Sequence, residues 1–488
     1  MAIVLGKQYI ERIDGLNNEV WIDGERVTGK LSEHPAFEGI LRTKGILYDT
    51  QHDRNTQSLV TGITPNGTER MNFAFEQPVT VNDLKKRREA TQLWARKSCG
   101  TVGRSPDYIN TAIMTLGSSP GFFEKKYANN VQGVYEQAVK KDLSFTHTFI
   151  NPQVNRSPNY LKFEFLNELN KKDIIAAKVI DETEEGIVVH GARLLATQGG
   201  LTDEVLVLPT GSATSDPSYA YAFAIPSNTK GLKFLCREPY ASKVSNSFDH
   251  PLTAHFDEID SVVVFDHVLV PWDRVFLYGD AERAAGIYKD IHLNIMLLFQ
   301  AVSRQVVKTE YLLGLGEALA QSIAITEYSH VQEKLSEIII TLEIMKALLY
   351  RAEMGATKNE FGTLVPEAIP LMTASSYYQN IYPRLVEILH LLGASGFIAL
   401  PTEKDFQSTV GKDIEQYLQG RNAGAKDRVQ LFRLAWDLTM SPFGTRQTQY
   451  ERFFFGDPVR LSSALYQAYD KKTLVEQVND FLQNHHGY

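Results

Sequence analysis

Hydrophobic positions along this chain change their spacing twice. Leu335, Ile338, Leu342, Met345 and Leu349 step 3, 4, 3, 4, the spacing of a helix that buries one stripe against its neighbours. Helical spacing also runs through residues 381–392 and 428–440. The middle of the chain differs. Apolar runs at 174–180 and 186–191 flank an acidic turn at 181–185 and read as a hairpin, and short β-rich runs follow at 204–208, 221–225, 232–236 and 261–265. Turn residues separate them at the spacing of a small barrel or sandwich. The first 145 residues read as mainly helical after a hairpin at 20–27, whose turn is Asp23-Gly24. Thr80 and Asp83 form a capping box, and the helix they open should run to about Gly100, a C-cap. The order helical, β, helical predicts a mainly α chain with a central β domain, divided as 1–145, 146–278 and 279–488.

Composition removes several classes. A chain of 488 residues is too long for one core, so two or three domains are expected. The net charge of −8 argues against a non-specific nucleic-acid binder, and Lys85-Lys86-Arg87-Arg88 fits the polar face of one helix. Two cysteines, Cys99 and Cys236, cannot supply a disulfide framework or an all-cysteine metal or iron–sulfur site, and no metal ligand set is predicted. They suit a reducing, cytoplasmic setting. No signal peptide and no membrane-length apolar run are seen. Residues 311–316, Tyr-Leu-Leu-Gly-Leu-Gly, approximate a nucleotide loop, but the stretch lies within a helical pattern, follows no strand and lacks the third glycine. His485-His486 reads as a tail.

Five stretches could carry chemistry. In Gly103-Arg104-Ser105-Pro106-Asp107-Tyr108, Ser105 and Pro106 can start a helix that sets Arg104 and Tyr108 on one face. A guanidinium and a phenol aimed at one spot suit an anion or a phenolate. The same residues also fit a surface turn in which Arg104 pairs with Asp107. His147 centres a strand-like run at a domain junction and fits either a base or a satisfied core histidine. Residues 151–156, Asn-Pro-Gln-Val-Asn-Arg, offer amides and a fixed charge to a heteroaromatic edge or a phosphate. The fourth stretch, 191–200, holds Thr197 beside a glycine pair, and the fifth, 441–447, is a Pro/Gly break between two helices.

Together the strings NEVWIDGERV, SEHPAFEGI, GRSPDYINTAIM, DLSFTHTFINPQVNRS, HGARLLATQGGLTDE, FDHVLVPWDRVF, LLGASGF and FGTRQTQYERFFFGDPVR span nearly the whole chain. In them the sequence resembles the flavin-dependent oxygenase components of 4-hydroxyphenylacetate 3-monooxygenases. The resemblance implies an acyl-CoA-dehydrogenase-like fold: a helical domain, a β-barrel domain and a C-terminal four-helix bundle, assembled as a homotetramer. It implies ortho-hydroxylation of a para-substituted phenol to a catechol through a flavin 4a-hydroperoxide. FAD would arrive as FADH2 by diffusion from a separate NAD(P)H:flavin reductase, with O2 as co-substrate. Residue by residue it implies Arg104, Tyr108 and His147 at the reacting phenol. Ser105, Pro106, Asp107, Gly211 and Ser212 would lie around the substrate. His147, Gln153, Val154, Asn155, Arg156, Thr197, Gly444, Thr445, Arg446 and Gln447 would lie at the flavin. Two relatives of that fold frame the alternatives. A 4-hydroxybutyryl-CoA-dehydratase reading fails for want of cysteines, Cys99 standing alone near the corresponding segment. An acyl-CoA-dehydrogenase-type flavin enzyme stays open; it needs a carboxylate base over the flavin.

Overall fold

A computed structural model describes residues 3–64, 67–154, 174–211, 216–241 and 246–484. The hairpin at the start forms as its Asp-Gly turn demands. Val20–Ile22 pairs antiparallel with Glu25–Arg26, and Asp23 and Gly24 both have positive φ, at 52° and 81°, the geometry that matches strand twist. The hairpin then joins the central sheet, because Val20–Ile22 pairs in parallel with Leu232–Cys236. Six strands make that sheet and four make a second one, ordered Val275–Tyr278, Tyr221–Pro226, Glu204–Val207 and Phe145–Thr148. Val189, Phe234 and Val263 of the first sheet meet Val205, Phe223 and Ile225 of the second in one apolar core. This is the expected barrel-or-sandwich arrangement. The strand anticipated at 261–265 is longer, Asp260–Pro271, because it continues past a bulge between Phe265 and Val268.

The helical expectations hold with shifted ends. Thr80 accepts from the Asp83 backbone N–H and Asp83 reaches back to the Thr80 N–H, opening the helix Val81–Lys97. Gly100, with φ 69°, completes its C-terminal turn by donating to Ala95 O. Arg87 of that helix corrects the basic-face reading: it is buried and donates to Ala74 O and Thr111 Oγ1. The seam residues Leu335 to Leu349 are all buried in the helix Ser329–Met354. That helix packs with Leu293–Ser322, Ala368–Gly393 and Ala425–Thr439 around a core rich in Leu, Ile and Phe. Each such side chain contributes about 1.5–3 kcal/mol on burial, so this bundle is a main source of stability. Leu312–Gly316 lies inside one of its helices, with no nucleotide-loop geometry.

A third apolar cluster joins Tyr108 of the helix Pro106–Gly117, Phe145 and Leu206 of the smaller sheet, and Ile287, Leu293 and Leu297. It ties the front helices, the sheet and the bundle into one junction. We propose the divisions 1–145, 146–278 and 279–488 as domains, the first lending its hairpin to the second. Among the described residues no helix is long and apolar enough to cross a membrane.

Candidate active site

Arg104 lies just before the helix Pro106–Gly117, in a turn entered through Cys99 and Gly100, both at positive φ. Its backbone is fixed by one carboxylate: Glu258 accepts from the N–H of Gly103 at 2.9 Å and of Arg104 at 2.7 Å. Gln198 Nε2 bonds both Arg104 O and Glu258. The guanidinium is 4.4 Å from the Tyr108 ring centroid and 4.7 Å from that of Phe454. It donates to the Tyr450 hydroxyl at 2.8 Å. Arg104 is only 8 % exposed, yet among the described residues no carboxylate lies within ion-pair distance of it, and its Nε has no partner. A buried cation without a counter-charge is costly. The arrangement is one that a bound anion would complete.

His147 faces this cation from the strand Phe145–Thr148, which pairs in parallel with Glu204–Val207. Its ring centroid is 5.9 Å from that of Tyr108 and 5.5 Å from that of Phe149. Its Nδ1 is buried without a partner among the described residues. Burial, with the Arg104 charge added, holds the imidazole well below its ordinary value, so it is neutral at pH 7. A neutral imidazole can accept a proton as well as donate one. Burial raises the Tyr108 phenol to about 12, with Arg104 and Arg304 opposing, so Tyr108 stays protonated and can donate. The three groups expected from two distant stretches therefore meet: a fixed cation, a neutral base and a phenolic donor.

Residues 5–277 match the family model for the N-terminal region of 4-hydroxyphenylacetate 3-hydroxylases, and residues 284–483 match the model for the C-terminal region. The chain belongs to the 4-hydroxyphenylacetate 3-hydroxylase family. A probable 4-hydroxyphenylacetate 3-monooxygenase of Bacillus subtilis is 50% identical over 485 residues, covering 99% of both chains. A 4-hydroxyphenylacetate 3-monooxygenase oxygenase component of Geobacillus is 44% identical, covering 99% of this chain and 97% of that one. A solved oxygenase component, in complex with FAD and 4-hydroxyphenylacetate, superposes with a TM-score of 0.93 at 42% identity, covering 99% of this chain and 98% of that one. A dehydratase acting on 4-hydroxybutyryl-CoA shares the fold at a TM-score of 0.86 and 19% identity. A glutaryl-coenzyme A dehydrogenase shares the fold at a TM-score of 0.50 and 10% identity, covering 79% of this chain and 80% of that one, so the architecture is acyl-CoA-dehydrogenase-like.

The other residues expected from the hydroxylase resemblance divide into groups. Asp107 is fully buried, and its carboxylate accepts from Ser105 Oγ, Thr91 Oγ1 and Gln300 Nε2. It locks the helix start to two neighbouring helices, so the expected pairing with Arg104 does not form. Ser105 and Pro106 begin the helix as predicted, but Ser105 donates to Asp107 instead of capping. Gly211 has φ 71°, and a Cβ there would meet the Tyr288 ring at 3.1 Å. Tyr288 in turn donates to Pro209 O and packs on Phe149, which brings the loop toward His147. Gln153 and Val154 are exposed just beyond the strand. Asn155, Arg156 and Ser212, like His485 and His486, lie outside the described residues.

Thr197 donates to Asp260 Oδ1 at 2.8 Å. Gly444, Thr445, Arg446 and Gln447 are not a break between helices. Ser441 caps the helix Pro442–Phe453, and all four sit in its first turns. Arg446 grips Asp260 with Nε at 2.6 Å and Nη2 at 2.7 Å, while Gln447 accepts from Lys308 and donates to Thr101 O. Thr445 is exposed. Burial would raise Asp260, but Arg446 and Arg237 hold it well below the usual carboxylate range. Sequence reasoning missed Glu258, Tyr450 and Phe454. The aromatic run Tyr450–Phe455 was the available signal, but the two helical turns that carry Tyr450 and Phe454 to Arg104 cannot be placed without the tertiary fold.

Proposed function

We propose that this chain is the oxygenase component of a two-component phenol hydroxylase. It converts a para-substituted phenol such as 4-hydroxyphenylacetate to a catechol, using O2 and FADH2 supplied by a separate NAD(P)H:flavin reductase. The observation that carries this reading is the convergence of Arg104, Tyr108 and His147, with unpartnered buried atoms at Arg104 Nε and His147 Nδ1. Thr148 Oγ1 is also buried without a partner among the described residues. This surplus of polar atoms at one strand end fits a phenol beside a heteroaromatic ring. Reduced FAD, when bound, activates O2 and supplies an electrophilic oxygen.

The chain's own residues prepare the phenol. In solution its hydroxyl ionises near pH 10, as tyrosine does. Arg104 and Tyr108 are placed to hold the phenolate oxygen and so to lower that value, and neutral His147, a base weakened by burial and by Arg104, takes the proton from a hydroxyl already acidified by them. Ionisation raises electron density at the ortho carbon, where the oxygen is added. Phe149, Tyr288 and Phe454 line this region and limit water. Loss of one such oxyanion donor costs on the order of a hundredfold in rate.

An acyl-CoA-dehydrogenase-type reaction would need a free carboxylate base. The buried carboxylates nearest the site, Asp107 and Glu258, are held by three donors each. The test is a coupled assay with a generic flavin reductase, FAD, NADH and a panel of para-substituted phenols, with catechol and H2O2 both measured. Catechol formation dependent on this protein is expected. Oxidation of acyl-CoA with no catechol from any phenol would overturn the assignment.

A further inference from the structure

Arg104 is held in two separate ways. Glu258 and Gln198 fix its backbone, as described above. Its guanidinium has a different anchor, the Tyr450 hydroxyl at 2.8 Å; among the described residues the only other acceptor is its own neighbour's carbonyl, Gly103 O, at 3.4 Å. Tyr450 is carried by the helix Pro442–Phe453, far from Arg104 in sequence. Two features show that the approach is built in. A Cβ at residue 103 would lie 2.0 Å from the Tyr450 oxygen, so only glycine fits there. The Tyr450 ring is also stacked on Phe454, at 4.7 Å and 20°, and Phe454 lies against the guanidinium.

The helix beneath Tyr450 is itself anchored by charge. Glu451 is buried against Arg304 and Lys308, and Arg446 clasps Asp260 of the sheet. Arg304 and Arg446 each lie 5.4 Å from the Tyr450 ring centroid. The ring therefore has little room to swing, and its oxygen is presented to Arg104 from a rigid support.

We propose that Tyr450 is a positioning residue for phenol binding: its hydroxyl accepts one N–H of Arg104 and turns the remaining donors, Nε among them, toward the substrate oxygen. A planar guanidinium held at one corner has a fixed orientation, and a donor fork binds well only when its plane is set. The charge on Arg104 supplies the attraction to a phenolate, and Tyr450 supplies the direction. This inference rests on the phenol hydroxylase reading above.

The test is a double-mutant cycle of Tyr450→Phe and Arg104→Ala, read in two ways. The first readout uses flavin-free protein. 4-Nitrophenol is titrated against pH, and its ionised form is followed by absorbance to give the affinity for phenolate. The second readout is catechol formed per FADH2 consumed. With Arg104 present, Tyr450→Phe should weaken phenolate binding by about tenfold, the scale of one hydrogen bond to a charged group. With Ala at 104 the same change should cost less than about twofold, because the two residues act as a unit. Tyr450→His, which keeps a ring acceptor, should bind phenolate more tightly than Tyr450→Phe. Circular dichroism checks the fold of each variant, and the histidine variant carries the test alone if Tyr450→Phe does not fold. Equal losses in both backgrounds, or no gain from the histidine over phenylalanine (or, if only the histidine variant folds, an equal effect of Tyr450→His with Arg and with Ala at 104), overturn the role of Tyr450. They leave the hydroxylase reading standing if wild type forms catechol. A wild type that forms none from any phenol overturns that reading instead.

Discussion

Replacing Glu451 with Gln keeps its shape and removes its charge. In the native protein its oxygens accept from Arg304 Nη1 at 2.7 Å, Arg304 Nη2 at 3.0 Å, Lys308 Nζ at 2.8 Å and Gln305 Nε2 at 3.1 Å. None of the side chains of Glu451, Arg304 and Lys308 exposes more than 1% of its surface. Burial alone would raise the carboxyl, but Arg304 and Lys308 hold it down at about 2 against an ordinary 4.5. That difference corresponds to about 3 kcal/mol of stabilisation at neutral pH. It is fully present above pH 4.5 and is lost as pH falls toward about 2. Lys308 moves the other way: burial holds its ammonium down at about 8 despite Glu451. At Lys308, then, the penalty of burial outweighs the attraction to Glu451.

Glu451→Gln should therefore lower the unfolding free energy at pH 7 by about 3–5 kcal/mol, the range for a buried charge stripped of its partner. Adding Lys308→Met should recover at least about 1 kcal/mol, because one uncompensated cation leaves with it. The assay is denaturant unfolding followed by circular dichroism and tryptophan fluorescence, with Trp436 reporting from the bundle helix Ala425–Thr439. A Glu451→Gln variant within about 1 kcal/mol of wild type at pH 7 would refute the reasoning, since stripping one partner from a buried pair typically costs about 3–5 kcal/mol.

Two further stability predictions use other buried charges. Asp260→Asn should loosen the contact between the helix Pro442–Phe453 and the sheet, where Arg446, Arg237 and Thr197 all donate to Asp260. Its melting temperature should fall below that of wild type at pH 7, and the gap should close as pH falls below the ordinary carboxylate value of 3.8; a gap independent of pH would count against it. Lys44 is buried with its Nζ 5.0 Å from the Tyr9 ring centroid, and burial lowers it from 10.5 to about 7. Protein stability contributed by neutral Lys44 is complete above pH 10.5 and lost as pH falls through about 7. Lys44→Met should raise the melting temperature most at pH 6 and least near pH 10, and a variant less stable than wild type at pH 6 would contradict this.

Much of the scaffold was legible because local rules and tertiary demands agreed. The capping box at Thr80, the turn at Asp23-Gly24 and the 3–4 seam from Leu335 to Leu349 each have one physical solution. Arg104, Tyr108 and His147 were legible as candidates, but only the fold decided between surface turn and buried cation. Arg87 and Asp107 show what local reasoning lacks: both are charged residues on helices, and both turn inward to partners distant in sequence. Locally, Pro442 and Gly444 suggest a break at 441–447. Pro at the first helical position, behind a Ser cap, begins a helix instead. Tyr450 was invisible for the same reason: its role exists only where two elements cross.

The most direct measurement of the central claim is the amount of catechol formed per FADH2 consumed, in wild type and in His147→Ala. The account predicts that wild type forms catechol, and that the variant still consumes FADH2 but releases H2O2 with no catechol above background. Hydroxylation in His147→Ala at the wild-type ratio would contradict it.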